Sequence, residues 1–457
     1  MAKISEKVES LLSKKVSRRS ALKVMALGSV AVAGGGLLTS CGGEKRSKAA
    51  QPTSEGLKEG NVTLRRNPKN GDDISLLGFG CMRFPTLSNG AINEELTQMM
   101  IDYAYEHGIN YYDTAWMYHG GDSQRVIGNC LRKYPRESYF LANKMPPTAQ
   151  NLADAKSIFQ EQLDRCGVDY FDYYLLHNIQ RQSQWDDFYV GQGVYDYLLE
   201  EKKAGRIRRL GFSFHGNVEL MRYMLSQPID WEFIQIQMNY LDWEDSNMRA
   251  RELYEMIAEK GIPVVVMEPI RGGALASMND RLVEMMTEQR PELSPAGMAL
   301  SFCATYPGVM CVLSGMTAME HVVENVNTFI DFEPLSEENS NTLLEVAELH
   351  KANPTIGCTQ CEYCMPCPYG IDIPHIFEIY DRSSQELNLP DPSGVHDKEF
   401  FRKRRLFLNR YKNTIDQRAR AEFCINCGQC EPACPQSIRI PRQLDRIEQL
   451  VNELKHI

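Results

Sequence analysis

Two groups of residues in this sequence have the types and spacing to do chemistry. The first is a set of eight cysteines near the C-terminal end, out of 14 in a chain of 457 residues. They form two runs, Cys358-x2-Cys361-x2-Cys364-x2-Cys367-Pro368 and Cys424-x2-Cys427-x2-Cys430-x3-Cys434-Pro435. Four thiolates at two- and three-residue intervals can wrap an iron–sulfur cube, and a proline after the last cysteine turns the chain away. Zinc takes similar ligands, but its cysteine pairs are usually parted by longer loops. Tight C-x2-C loops make structural disulfides the weaker reading. The second group is Asp113, Tyr118, Lys144 and His177. A carbonyl that receives hydride needs a proton donor at its oxygen. A free phenol, with a pKa near 10, gives its proton poorly at neutral pH. A neighbouring ammonium favours the phenolate and lowers that pKa, a carboxylate compensates the ammonium, and an imidazole can orient the oxygen.

The elements that must position these groups are legible as alternation. Between about Asn61 and Phe332, short apolar runs alternate with longer helical patterns. The predicted strands are Ser75–Gly80, Asn110–Asp113, Ser138–Lys144, Phe171–His177, Arg209–Phe214, Phe233–Gln237, Val264–Glu268 and Val309–Ser314. Helical windows such as Glu94–His107, Ser123–Lys133, Asn151–Cys166, Val190–Ala204 and Ser246–Lys260 lie between them. Eight strand-then-helix units point to an α/β fold, a closed (β/α)8 TIM barrel. The alternative is an open doubly wound sheet. The first strand ends in Gly78-Phe79-Gly80-Cys81 rather than a glycine-rich dinucleotide fingerprint, which favours the barrel. Asp113, Lys144 and His177 then stand at the C-terminal ends of strands, where this architecture keeps its chemistry, with Tyr118 in the loop after Asp113. A small, mostly α iron–sulfur domain follows.

Asp113-Thr114-Ala115-Trp116-Met117-Tyr118, Asn143-Lys144 and Leu176-His177 resemble the tetrad motifs of the aldo-keto reductase family, over about residues 61–332. The resemblance implies that Tyr118 is the general acid, that Lys144 tunes it, that Asp113 holds Lys144 and that His177 positions the carbonyl. It also implies a nicotinamide site. Ser213, Gln237 and Tyr240 resemble residues around the carboxamide, with Phe214 where the family usually has Asn. Gly272 and Gly273 resemble the pyrophosphate loop, and Gly315, Glu324 and Asn325 the adenosine end. The family's cation for the 2′-phosphate of NADP is replaced by Ala318, so NAD, NADP or no nicotinamide at all remain open. The second cysteine run has the bacterial ferredoxin pattern, and the first is one residue shorter before its last cysteine. In two-cluster ferredoxins the fourth cysteine of each run serves the other cluster. The expected ligand sets for two [4Fe–4S] clusters are therefore Cys358, Cys361, Cys364 and Cys434, and Cys424, Cys427, Cys430 and Cys367. The whole arrangement resembles aldo-keto reductase-like proteins with a C-terminal ferredoxin-type domain.

The N-terminus has the marks of an address. Ser17-Arg18-Arg19-Ser20-Ala21-Leu22-Lys23 resembles a twin-arginine export motif, and the apolar run Val24–Leu38 is short of the roughly 20 residues that span a bilayer. Leu38-Thr39-Ser40-Cys41 resembles a lipobox, which implies a lipid anchor at Cys41 on the periplasmic side. The expected divisions are a signal over 1–41, a linker over 42–60, the barrel over 61–335, a helical connector over 336–353 and the cluster domain over 354–457. Lys and Arg total 50 against 60 Asp and Glu, a net charge of −10 without a long basic run, which excludes a typical nucleic-acid binder. Hydrophobic residues at 43% and charged residues at 24% exclude a polytopic membrane protein or a wholly disordered chain.

The resulting expectation is an exported oxidoreductase. It would reduce a small carbonyl substrate, with electrons from a nicotinamide, the clusters or both, and with a redox protein as a possible donor. An iron–sulfur electron carrier or redox-sensing binding protein on a barrel scaffold is the alternative. Trp116, Tyr118, Trp185, Tyr240 and Trp243 are candidates for an aromatic mouth or for loop packing. Cys81, Cys130, Cys166, Cys303 and Cys311 read as small core residues, with a weaker functional reading for Cys81.

Overall fold

The computed structural model describes residues 58–457. The export motif, Cys41 and all but the end of the linker lie outside the described residues. Among the described residues there are ten strands: β1 (Leu64–Arg66), β2 (Asp73–Ser75), β3 (Leu77–Gly80), β4 (Tyr111–Asp113), β5 (Phe140–Met145), β6 (Phe171–Ile179), β7 (Ile207–Phe214), β8 (Ile234–Gln237), β9 (Val264–Met267) and β10 (Val309–Ser314). Strands β3 to β10 close into a barrel in chain order, with β10 returning to pair in parallel with β3. The eight predicted strands are these eight, with ends moved by at most two residues.

Period-two alternation explains how the barrel is filled. Tyr111, Ala142, Tyr173, Leu175, Phe233, Val265, Met310, Cys311 and Leu313 pack together in the interior, while Tyr112, Leu141, Tyr174, Leu176 and Ile234 pack outward against the helices. One element has no counterpart in the sequence reading. β1 and β2 form an antiparallel hairpin that feeds Ile74 into the interior cluster. Its turn closes that end by accepting the Tyr173 hydroxyl at Asp72, 2.8 Å away.

The predicted helices form where apolar faces and caps coincide. Glu94–Glu106 begins at Asn93, whose side chain accepts from the Leu96 N–H, and Leu152–Cys166 begins likewise at Asn151. The window over 190–204 starts late, at Val194, because Gln184–Val190 is a separate π turn and Gly193 has a left-handed backbone. The connector is the helix Glu337–Lys351. Beyond it, helices Ile373–Gln385, Lys398–Thr414 and Ile440–His456 build their own core from Ile376, Phe377, Phe407, Tyr411, Ile447 and Val451. Both cysteine runs lie in the loops beside that core. Within the described residues, no helix is long and apolar enough to cross a membrane.

Candidate active site at the barrel mouth

On three neighbouring strands the inward side ends in a charged or polar residue at the same end of the barrel. On β4 the inward pair is Tyr111 then Asp113, and on β5 it is Ala142 then Lys144. On β6 the inward series is Tyr173, Leu175 and His177. A register shift between Leu176 and Ile179, where β6 pairs with β7, bulges the strand at His177 and Asn178. Tyr118 follows on a short 3-10 turn. All four sequence candidates line one cavity of about 360 Å³.

The buried Lys144 ammonium donates to Asp113 Oδ1 at 2.5 Å and to the Thr114 carbonyl at 2.8 Å. Burial works against both charges, raising the Asp113 pKa and lowering that of Lys144, while each partner pulls the other back. Lys144 Nζ lies 5.1 Å from the centre of the Tyr118 ring. The Tyr118 hydroxyl is nevertheless pushed well above the usual phenol value, first by burial and then by the charges of Tyr363 and Asp113. Burial and these neighbouring charges outweigh the lowering expected from an ammonium that stands 5.1 Å from the ring centre. Burial, then Lys144 and His215, hold His177 well below its ordinary value, so its imidazole is neutral.

The C-terminal domain completes the cavity. Thr359, Cys361, Tyr363, Pro435 and Gln436 line it beside the barrel residues. The Tyr363 hydroxyl is 3.0 Å from His177 Nε2, and Tyr363 is the neighbour whose charge acts most on Tyr118. Gln436 exchanges amide hydrogen bonds with Gln237, at 2.7 and 3.1 Å, and accepts from Arg271 at 3.2 Å. Arg83 donates to the Thr359 carbonyl and stands 4.0 Å from Glu268. Asp381 anchors the start of the first cysteine run by accepting from the backbone N–H groups of Ile356, Gly357 and Cys358. Sequence reasoning missed Tyr363, Gln436, Arg83 and Glu268. The left-handed backbone at Asn178, Glu268 and Arg271 marks strain around the site, but nothing local in the sequence signals it.

The expected nicotinamide contacts are divided. Ser213, Gly272, Gly273, Gly315, Glu324 and Asn325 line the cavity, whereas Gln237 turns to Asp242 and Gln436. A Cβ on Gly272 would stand 2.3 Å from the Thr359 carbonyl, so the cluster-domain backbone already covers that part of the loop. Ser314 accepts from Asn325, and the Asn178 N–H donates to Ser213. Thr359 lies against the Gly272 part of the loop expected to hold the pyrophosphate.

The aromatic mouth reduces to Tyr118 and Tyr363. Trp185 packs on Trp231 and Tyr195, Tyr240 and Trp243 pack around Phe302, and Trp116 stacks under Arg165. Cys81 is fully buried and, with the other four barrel cysteines, belongs to the core.

The eight C-terminal cysteines fit cubes. All are free thiols, and Cys364, Cys367, Cys424, Cys427 and Cys430 line a cavity of about 180 Å³. Burial pushes the Cys361 thiol up to about 11 and the Cys364 thiol up to about 12, and the charge of Cys434 adds to both. Burial also pushes Cys430 up to about 11, with Cys424, Cys367 and Cys427 adding to it. Crowded thiols that oppose one another's ionisation fit bound iron, whose charge would stabilise the thiolates. Cys361 and Cys364 feel the charge of Cys434 from the other run, Cys430 feels that of Cys367, and Cys364 also feels that of Cys430. Within the described residues, no three His, Cys, Asp or Glu converge as a single metal ion would require.

A closed parallel barrel carries this polar mouth, and a cysteine-rich domain is seated on it. Residues 76–348 match the aldo/keto reductase family, and residues 357–439 match a 4Fe-4S dicluster domain. The chain belongs to the aldo/keto reductase family, as an oxidoreductase with a C-terminal dicluster domain. It is 27% identical over 335 residues to an NADH-specific methylglyoxal reductase of Escherichia coli, covering 62% of this chain and 99% of that one. It is 26% identical over 212 residues to probable aldo-keto reductase 1 of Glycine max, covering 44% of this chain and 58% of that relative's length. A Klebsiella pneumoniae aldo/keto reductase solved with NADP and acetate shares the barrel fold, with TM-score 0.52 and 22% identity. That match covers 63% of this chain and 95% of the other.

Proposed function

We propose that the barrel reduces a small carbonyl substrate, with Tyr118 giving the proton to the carbonyl oxygen. The neutral His177 holds that oxygen, and the Lys144–Asp113 pair fixes the field around the phenol. One observation carries the reading: His177 Nε2 already holds an oxygen, the hydroxyl of Tyr363, in the cavity that Tyr118 also lines. Cys358, Cys361, Cys364 and Cys434 would hold one cluster, and Cys424, Cys427, Cys430 and Cys367 the other. When bound, such clusters supply single electrons. The E. coli relative's name gives NADH as its donor. Ala318 offers no cation for a 2′-phosphate, so NADH is the nicotinamide this chain would take if the segment 357–363 moves aside.

The motifs over residues 17–41 support a further part of the proposal, that the protein is exported by the twin-arginine route and anchored by lipid at Cys41. A redox-protein donor is favoured by the exposed Cys427, with exposed Tyr369, Phe423 and Ile425 in the same part of the domain. If the barrel is instead a scaffold for an electron carrier, that face is the working surface. Tyr118→Phe separates the readings. Carbonyl turnover falls about 10²–10⁴-fold for an enzyme using general acid catalysis, with iron content unchanged. Unchanged turnover contradicts the proposal.

A further inference from the structure

We propose that Tyr363 occupies the substrate-oxygen seat of the barrel, so that substrate and the cysteine-bearing loop compete for one place. The proposal rests on the reading of Tyr118 and His177 as the carbonyl-binding pair, and adds a specificity and coupling residue to it.

The geometry is specific. The hydroxyl of Tyr363 sits 3.0 Å from His177 Nε2, in the cavity that Tyr118 also lines. The rings of His177 and Tyr363 meet edge to face at 6.0 Å, and those of Tyr118 and His177 do so at 6.3 Å. His177 Nδ1 is buried without a hydrogen-bond partner, so the seat at Nε2 is where this imidazole can hold an oxygen. A carbonyl oxygen bound by the same pair must take the place of the phenol hydroxyl.

The loop is placed there by contacts that do not involve Tyr363. Asp381 fixes its start, Arg83 holds Thr359, and Gln436 ties the second run to Gln237. Tyr363 lies two residues after Cys361 and one before Cys364. Moving its ring out of the seat shifts the backbone that carries two predicted cluster ligands. Linkage makes the effect reciprocal: a ligand in the seat alters the cluster environment, and the seated loop weakens the ligand.

Acetate is a suitable probe, because its oxygen can accept from Tyr118 and His177 but it has no reducible carbonyl. Binding is measured by calorimetry on anaerobic holoprotein, and EPR of the reduced clusters is recorded with and without acetate. Tyr363→Phe removes the hydroxyl and keeps the ring, and Tyr363→Ala clears the seat. Iron content checks that both variants retain the fold. The expected result is acetate affinity rising about tenfold in Tyr363→Phe and further in Tyr363→Ala. Acetate should shift the EPR lines of the wild-type protein and leave those of Tyr363→Ala in place. Equal affinity in all three proteins, or a line shift that persists in Tyr363→Ala, overturns the proposal.

The double variant Tyr363→Ala with Tyr118→Phe separates this proposal from the reading beneath it. Loss of the gained affinity places acetate in the seat. Retention of it contradicts both the proposal and the carbonyl reading of that seat. If Tyr363→Ala gains nothing while Tyr118→Phe still abolishes turnover, only the Tyr363 proposal falls.

Discussion

The Lys144–Asp113 pair shows what residue spacing can and cannot convey. Their placement at successive strand ends was legible, because inward residues recur every second position and the chemistry falls at the end of each series. The consequence of burial was not, because it depends on Tyr363, which arrives from 186 residues beyond His177. A buried ammonium left without its carboxylate is costly. Asp113→Asn is expected to destabilise the barrel by about 3–5 kcal/mol in chemical denaturation, and adding Lys144→Met should recover most of that loss. Histidines give a pH-dependent prediction at the same scale. Burial lowers His215 and His350 to about 4. Each is neutral in the folded protein near pH 6 but takes a proton on unfolding below about 6.5. Their contribution to stability is full above that value and is lost as pH falls toward 4, at about 1.4 kcal/mol per pH unit for each group. Stability curves at pH 7, 6 and 5 should flatten between these points in a His215→Gln, His350→Gln variant.

At the scale of elements, periodicity identified every barrel strand, since each must present one face inward. The β1–β2 hairpin escaped notice because three-residue strands carry too little alternation to be read. The bulge at His177 escaped for another reason: it appears only when β6 is paired with β7. Close helix packing was equally invisible. A Cβ on Gly128 would stand 2.2 Å from the Cys166 carbonyl, where the helices Asp122–Leu131 and Leu152–Cys166 approach. Gly128→Ala is expected to cost about 1–3 kcal/mol, seen as a lowered midpoint in thermal or chemical denaturation. Gly120→Ala, with open space around it, lacks that clash and should show only the strain of its left-handed backbone.

For the molecule as a whole, both components were legible in motifs, but their contact was not. The two cysteine runs announced a cluster domain, and the alternating runs announced a barrel. Nothing in either said that one would close the mouth of the other through Thr359, Tyr363 and Gln436. The Asp381 anchor makes this testable. Asp381→Ala removes the acceptor for three backbone N–H groups before Cys361. The expected outcome is iron content falling below roughly eight per chain, with the barrel's own stability nearly unchanged.

On the proposed function, the barrel mouth and the cluster domain form one reducing site served by Tyr118. Its most direct test is stopped-flow mixing of dithionite-reduced protein with a panel of small aldehydes and ketones, following cluster absorbance. At least one carbonyl is expected to reoxidise the clusters, and Tyr118→Phe is expected to slow this by about 10²-fold or more. Reoxidation by carbonyls at the same rate in Tyr118→Phe, or by none of them in the wild-type protein, would contradict it.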